Sequence, residues 1–255
     1  MMVATASRIV VDDVWKSFGG IQAVRGLSLD IDQRHITGLI GPNGAGKTTV
    51  FNLVTGVLKP DRGSITLDGR HLSGRSPDSI VHLGVARSFQ DLRLFSRMST
   101  LDNVLVAQPW KGNYAQQLMR PARQVGVDVE AARSLLERVG LGGYDALPAG
   151  GLTYAQQKTL AIARLLATGA RFLLLDEPMS GLDDAAVSSL LALLGTLADQ
   201  GVGLCVVEHN MEVIRRLCTR VAFLANGQCL AVGEPDEIMA RDDLAELFFG
   251  RPPNG

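Results

Sequence analysis

Gly41-Pro42-Asn43-Gly44-Ala45-Gly46-Lys47-Thr48 puts three glycines, a lysine and a hydroxyl into one short loop, with Thr49 directly after it. An apolar run, Ile36–Ile40, enters the loop. A helical stretch from Lys47 to about Thr55 leaves it and stops at Gly56. That strand, loop and helix order is the setting in which GxxxxGK(S/T) binds phosphate. Glycines let the main chain wrap closely around an anion, and exposed N–H groups of the loop and helix N-terminus point at it. Residues 41–49 therefore form a candidate nucleotide cup. Lys47 supplies a point charge to the terminal phosphates, and the Thr48 hydroxyl can ligate Mg²⁺. A second cluster, Phe172-Leu173-Leu174-Leu175-Asp176-Glu177, sets two carboxylates at the end of a buried strand. Ligands of an open parallel sheet bind at that end. Asp176 can hold Mg²⁺ or its water, and Glu177 can orient or deprotonate an attacking water. Together the two clusters describe a P-loop fold for ATP or GTP. The chain contains no guanine-reading Asn-Lys-x-Asp, which favours ATP.

The elements that must position these groups alternate between strand and helix. Ile9–Val14 and the period-two stretch Leu27–Ile31 read as strands. Ser64–Leu67 reads as a strand running into a turn at Asp68-Gly69. From about Leu92 to Gly169 the texture is helical, with Val129, Ala132, Leu135, Leu136 and Val139 at helical spacing before Gly140. Gln108–Gly126 is weakly periodic and reads as a loop with at most a short helix. Phe172–Leu175 and Val202–Val207 are continuous apolar runs, as expected of strands covered on both faces. Val221–Leu224 and Cys229–Val232 flank Asn226-Gly227, which supplies the positive φ of a type I′ hairpin turn. One amphipathic stretch, Asp236–Phe249, closes the chain. The expectation is an α/β fold interrupted by a helical insert.

Composition removes other classes. The 255 residues carry 25 Lys+Arg and 26 Asp+Glu, a net charge of −1, against a basic nucleic-acid module. At 46% hydrophobic residues the chain is not an acidic disordered one. Cys205, Cys218 and Cys229 form no CxxC pair, so neither a zinc site nor a disulfide framework is expected, and a reducing compartment fits. The opening residues lack the apolar run of a signal peptide. The longest uncharged helical stretch, Ala185–Ala198, is shorter than the roughly 20 residues of a membrane span and reads as a buried helix. The mean hydropathy of +0.16 leaves room for an apolar surface covered by a partner, or for excess core.

With these motifs quoted, the chain resembles the ATPase subunits of ABC transporters over nearly its whole length. Gln90, in Arg87-Ser88-Phe89-Gln90, stands where the family's core passes into its helical insert. Ser180-Gly181-Leu182-Asp183 resembles the D-loop. His209, after Val202–Val207 and Glu208, resembles the switch histidine. Leu152-Thr153-Tyr154-Ala155-Gln156-Gln157 occupies the place of the signature LSGGQ. Phe18, in Ser17-Phe18-Gly19-Gly20, resembles the aromatic that stacks on adenine, with Trp15 as the alternative. The resemblance implies a RecA-like core with a mostly parallel sheet, an antiparallel N-terminal β part and an inserted helical part. It implies one domain over 8–250: core 8–90 and 170–234, helical part 91–169, and a C-terminal helix 235–250.

In site terms the resemblance implies that Thr48, Gln90 and Asp176 ligate Mg²⁺. Glu177 then polarises the attacking water, while His209 and Lys47 steady the γ-phosphate. Thr153, Ala155, Gln156 and Asp183 complete the site of a second ATPase subunit, in a homo- or heterodimer. Ala155 replaces a glycine, and its methyl is expected to slow that site unless helical backbone turns it away. The other implied partners are transmembrane permease subunits and, indirectly, a substrate-binding protein; nucleic acid is not one. The implied location is peripheral, on the cytoplasmic face of the membrane. Residues 86–95, the Gln108–Gly126 segment, and Tyr154 with Gln156-Gln157 are similar to the ATPases of branched-chain amino-acid importers. An exporter, a lipid or lipopolysaccharide transporter, or a soluble ABC-type ATPase would share the same ATP chemistry. Leu92, Leu94, Phe95 and Met98 are the expected contacts to the membrane subunit, with a buried helical core as the alternative for some of them.

Overall fold

The computed structural model describes residues 6–88, 91–109 and 122–249. Among the described residues, ten strands form two sheets. The first is antiparallel and contains β1 (Arg8–Phe18), β2 (Ile21–Asp32), β4 (Arg62–Leu67) and β5 (Arg70–His71), in the order β2-β1-β4-β5. The second contains β3 (Ile36–Ile40), β6 (Val85–Arg87), β7 (Phe172–Asp176), β8 (Gly203–Val207), β9 (Arg220–Ala225) and β10 (Gln228–Gly233). Its order is β10-β9-β3-β8-β7-β6, parallel throughout except for the β9–β10 hairpin. Asn226 and Gly227, at φ 49° and 76°, supply the turn of that hairpin as its sequence predicts.

The continuous apolar strands β3, β7 and β8 are buried at every position, so both of their faces are covered. Alternate residues feed two cores. Leu39, Leu174, Cys205 and Val207 pack with the antiparallel sheet and with α1 (Lys47–Val54). Ile40, Leu173, Leu175 and Val206 pack toward the helices on the opposite face. Those helices are α3 (Thr100–Leu105), α4 (Ala122–Arg138), α5 (Tyr154–Ala167), α6 (Asp184–Asp199) and α7 (Met211–Leu217). Where β7 and β8 pair, Phe172 lies against Gly203; a Cβ there would sit 2.4 Å from the ring. Gly203→Ala is therefore expected to cost about 1–3 kcal/mol, read as a fall in Tm of roughly 2–12 °C. A thermal melt unchanged from wild type would refute that packing argument.

Several expectations need correction. Of Gln108–Gly126, read as a loop with at most a short helix, residues 110–121 lie outside the described set, and α4 begins within its last part, at Ala122. An amphipathic helix nucleated by its packed turns propagates one hydrogen bond per residue, so it extends past the periodic residues that reveal it. Ala185–Ala198 lies within α6, which is not buried all round. It buries Leu190, Leu191, Leu194 and Leu197 and leaves its small polar side open. The C-terminal stretch is two helices, α8 (Pro235–Met239) and α9 (Asp242–Phe249). Pro235 at the first helical position and the reciprocal Glu234–Glu237 caps start α8, and Ala240 ends it. The helix α2 (Pro77–Leu83), capped by Ser76 and closed by Gly84 at φ 105°, and the short strand β6 were not anticipated. No helix among the described residues is long and apolar enough to cross a membrane.

Candidate nucleotide site

β8 lies between β3 and β7, so the loop after β3, the carboxylates after β7 and the residues after β8 emerge side by side at the C-terminal edge of the sheet. They line one cleft of about 310 Å³ formed by Asn43–Thr49, Asp176, Glu177 and His209, with Ala23 and Val207 on its flanks. The loop is shaped by glycine at three positive-φ positions: Gly41 at 145°, Gly44 at 78° and Gly46 at 102°. At Gly41 and Gly46 the constraint is also steric. A Cβ at Gly41 would lie 1.9 Å from the Leu224 carbonyl oxygen, and one at Gly46 would lie 2.6 Å from that of Ala23. The β9–β10 turn braces the loop, since Gly227 N–H donates to Ala45 O at 3.1 Å and Arg25 N–H donates to Gly227 O at 2.8 Å.

Lys47 is buried, and its Nζ donates to the carbonyls of Gly41 at 2.7 Å and Pro42 at 3.0 Å. Burial pulls its ammonium below the usual lysine range, and the charges of Glu177 and Asp176 act in the opposite sense. Thr48 and Thr49 follow on the first turn of α1, which carries no acidic residue to repel an anion. Asp176 is also buried. Its Oδ2 lies 2.6 Å from Arg87 Nη2, and its N–H donates to Ser88 Oγ at 2.9 Å. Arg87 Nη1 donates in turn to Asn52 Oδ1 at 2.5 Å, and its guanidinium stands 5.3 Å over Phe51. The Asp176 carboxylate is thereby tied through Arg87 to the helix that carries Lys47 and Thr48.

Glu177 adopts φ 48°, a left-handed conformation that a non-glycine residue holds at a cost of about 1–3 kcal/mol. Its N–H donates to Val207 O at 2.9 Å. The strained turn brings its Oε1 to 2.9 Å from His209 Nε2. Glu177 is half-buried, His209 is exposed, and both line the cleft opposite the phosphate loop. A carboxylate held by an imidazole beside a lysine-lined anion cup can orient a water toward a terminal phosphate. The cup also fits a magnesium nucleotide. Gly41 and Gly46 have no room for side chains, the lysine and helix N-terminus attract phosphate, and the hard oxygen donors Thr48 and Asp176 suit a hard cation.

The other residues read from sequence lie elsewhere. Gln90 is outside the described residues. Thr153 caps α5 in a reciprocal box: Gln156 N–H donates to its Oγ1 at 3.3 Å, and Thr153 N–H donates to Gln156 Oε1 at 2.9 Å. Ala155 is in the first turn of α5 with its carbonyl accepting from Thr159 Oγ1 at 3.1 Å, so its backbone is helical. Asp183 caps α6, accepting from Ala186 N–H at 2.8 Å. None of these four lines the cleft. Phe18 ends β1, 45% exposed, with Lys16 Nζ 5.6 Å over its ring; it too stands outside the cleft lining. Trp15 spends its indole N–H on Asp13 Oδ1 at 2.9 Å. Sequence reading missed Lys158 and Glu208, two buried charges behind Glu177. The only signal for Glu208 was its place directly before His209 at a strand end.

The sequence pattern of the ABC transporter family matches residues 24–180. The chain belongs to that family. It is 38% identical over 248 residues to the high-affinity branched-chain amino acid transport ATP-binding protein LivG of Salmonella typhimurium, covering 95% of this chain and 97% of that one. It is 38% identical over 239 residues to BraF, a protein of the same description from Pseudomonas aeruginosa, covering 91% and 94% of the two chains. Among solved structures it is similar to an ATP-binding cassette of an ABC transporter in its ADP conformation. That match has a TM-score of 0.85 at 25% identity and covers 97% of this chain and 100% of that one. As an ABC ATPase the chain binds and hydrolyses nucleotide. Among the described residues a further groove of about 330 Å³ lies between the helical part and the sheet. Leu92, Arg93, Ala107, Ala161 and Leu165 line it, and its floor reaches Arg87 and Asp176. Phe95, 49% exposed, stands beside Arg164, 5.1 Å from its guanidinium carbon, whereas Leu94 packs into the core.

Proposed function

We propose that this cassette is the ATP-hydrolysing subunit of a branched-chain amino-acid importer, peripheral to the cytoplasmic face of the membrane. The observation that carries the reading is identity over nearly the full chain to two ATP-binding proteins of such importers. ATP phosphates occupy the cup of residues 41–49, with Lys47 against the terminal phosphates and adenine against Phe18. Thr48, Asp176 and Gln90 hold Mg²⁺, which when bound neutralises charge developing on the phosphates. Glu177 takes a proton from the attacking water, and His209 holds that carboxylate in place and steadies the γ-phosphate. A second ATPase subunit brings its own signature helix to this cup, as Thr153, Ala155, Gln156 and Asp183 serve the cup of that subunit. A helix N-terminus aimed at phosphate supplies the attraction. Closure follows because ATP makes these contacts only in the closed pair. The groove beside Leu92 and Ala161 receives the permease, placing Arg87 and Asp176 at its floor under that subunit's control.

The reading is tested by purifying the cassette with its membrane subunits, reconstituting them in vesicles with the binding protein, and measuring ATP-dependent uptake. Uptake of labelled leucine, isoleucine or valine is expected. Transport of a lipid instead, or purification with no membrane subunit, would overturn it. Ala155 tests the signature. Because α5 is regular there, glycine is not required by its backbone, and Ala155→Gly is expected to leave the ATPase rate within about twofold. A clear rise would show that the methyl obstructs the partner's γ-phosphate.

A further inference from the structure

Behind the cleft, two buried charges grip the backbone that presents Glu177. Lys158, on α5, is 7% exposed, and its Nζ donates to the carbonyls of Glu177 at 3.2 Å and Pro178 at 2.9 Å. Glu208 is 5% exposed, and its Oε1 accepts from Met179 N–H at 2.9 Å. Ser180 N–H closes the same turn onto Glu177 O at 3.2 Å. Three successive residues, 177 to 179, are thus pinned at their peptide groups by side chains from two other elements. The phenol ring of Tyr154 lies 5.3 Å from Lys158 Nζ, and its edge meets Gly181, where a Cβ would stand 3.2 Å away. A buried ammonium is costly unless its protons are used, and here two carbonyls take them, with two carboxylate groups nearby. Neither buried charge touches the cleft.

We propose that Lys158 is a positioning residue that holds Glu177 in its left-handed turn, with Glu208 as the second anchor, and so sets the aim of the carboxylate toward the water. The inference rests on the reading of Glu177 as the base. A misaim of about 1 Å in a reacting group costs up to about a hundredfold in rate, whereas nucleotide affinity resides in the cup and is unaffected. The experiment uses the assembled transporter carrying Lys158→Met, Lys158→Arg or Glu208→Ala. It measures kcat and KM for ATP, binding of a fluorescent ATP analogue and thermal melting. Lys158→Met and Glu208→Ala are expected to lower kcat by about tenfold or more with KM and analogue affinity within about twofold, and Lys158→Arg to restore most of the rate. A kcat within about twofold of wild type in Lys158→Met overturns the proposal. So does a joint loss of analogue affinity and melting temperature that Lys158→Arg leaves uncorrected. Should Lys158→Met not fold, Glu208→Ala decides by the same criteria. Glu177→Gln separates the two ideas: normal turnover there defeats the base itself, whereas an inactive Glu177→Gln beside a normal Lys158→Met defeats the anchoring alone.

Discussion

Glu177→Gln is expected to bind ATP as well as wild type and to hydrolyse it about 10²–10³-fold more slowly, the share a positioned general base contributes. The amide keeps the shape of the side chain and its contact distance to His209, now 2.9 Å, but it has no basic oxygen to accept the proton of water. The left-handed turn is held at its peptide groups, by Val207 O, Lys158 and Glu208, so the substitution leaves the backbone in place. The measurement is single-turnover hydrolysis beside equilibrium binding of the same nucleotide. Hydrolysis near the wild-type rate would assign the base elsewhere. A parallel loss of binding would mean that Glu177 holds nucleotide rather than activates water.

Gly41→Ala is expected to abolish nucleotide binding and to destabilise the fold. The methyl would lie 1.9 Å from the Leu224 carbonyl oxygen, a backbone atom of the neighbouring strand that cannot swing aside. At φ 145° the residue also sits where L side chains are strained. Backbone strain and overpacking together give about 3 kcal/mol or more, a fall in Tm of roughly 6–12 °C. The same shift displaces the carbonyl that Lys47 Nζ contacts at 2.7 Å, so the cup loses both its shape and its cation. A melt and a nucleotide titration check both halves. A variant that melts like wild type and binds ATP would show that the loop relaxes around the methyl.

The candidate cup was legible because its residues are contiguous: 41–48 are neighbours in sequence and flanked by an unmistakable strand and helix. Asp176 and Glu177 were legible for the same reason, as the end of a buried strand. What was hidden acts between residues distant in sequence. Lys158 reaches Glu177 O and Pro178 O across 19 and 20 residues, and Arg87 reaches Asp176 across 89. No spacing rule announces a side chain whose partner is a carbonyl. Arg87 was quoted only as the lead-in to Gln90, yet it fastens the Asp176 carboxylate to α1. The exposed small residues of α6 misled because an uncharged stretch reads as interior, while alanines and serines tolerate water. The single C-terminal helix was an error of period: the amphipathic pattern runs on past Ala240, and only the caps reveal the break.

The strand order β3-β8-β7 carries a metrical consequence. Neighbouring strands in a sheet stand roughly 4.8 Å apart, so the lip formed by the loop after β3 and the lip that bears Asp176 and Glu177 are separated by two such steps, roughly 10 Å. That interval is set by the main chain and not by side-chain rotamers. The chemistry is therefore gauged by the lattice of the main chain: side chains may drift by tenths of an ångström, but the jaw they stand on has a fixed bite.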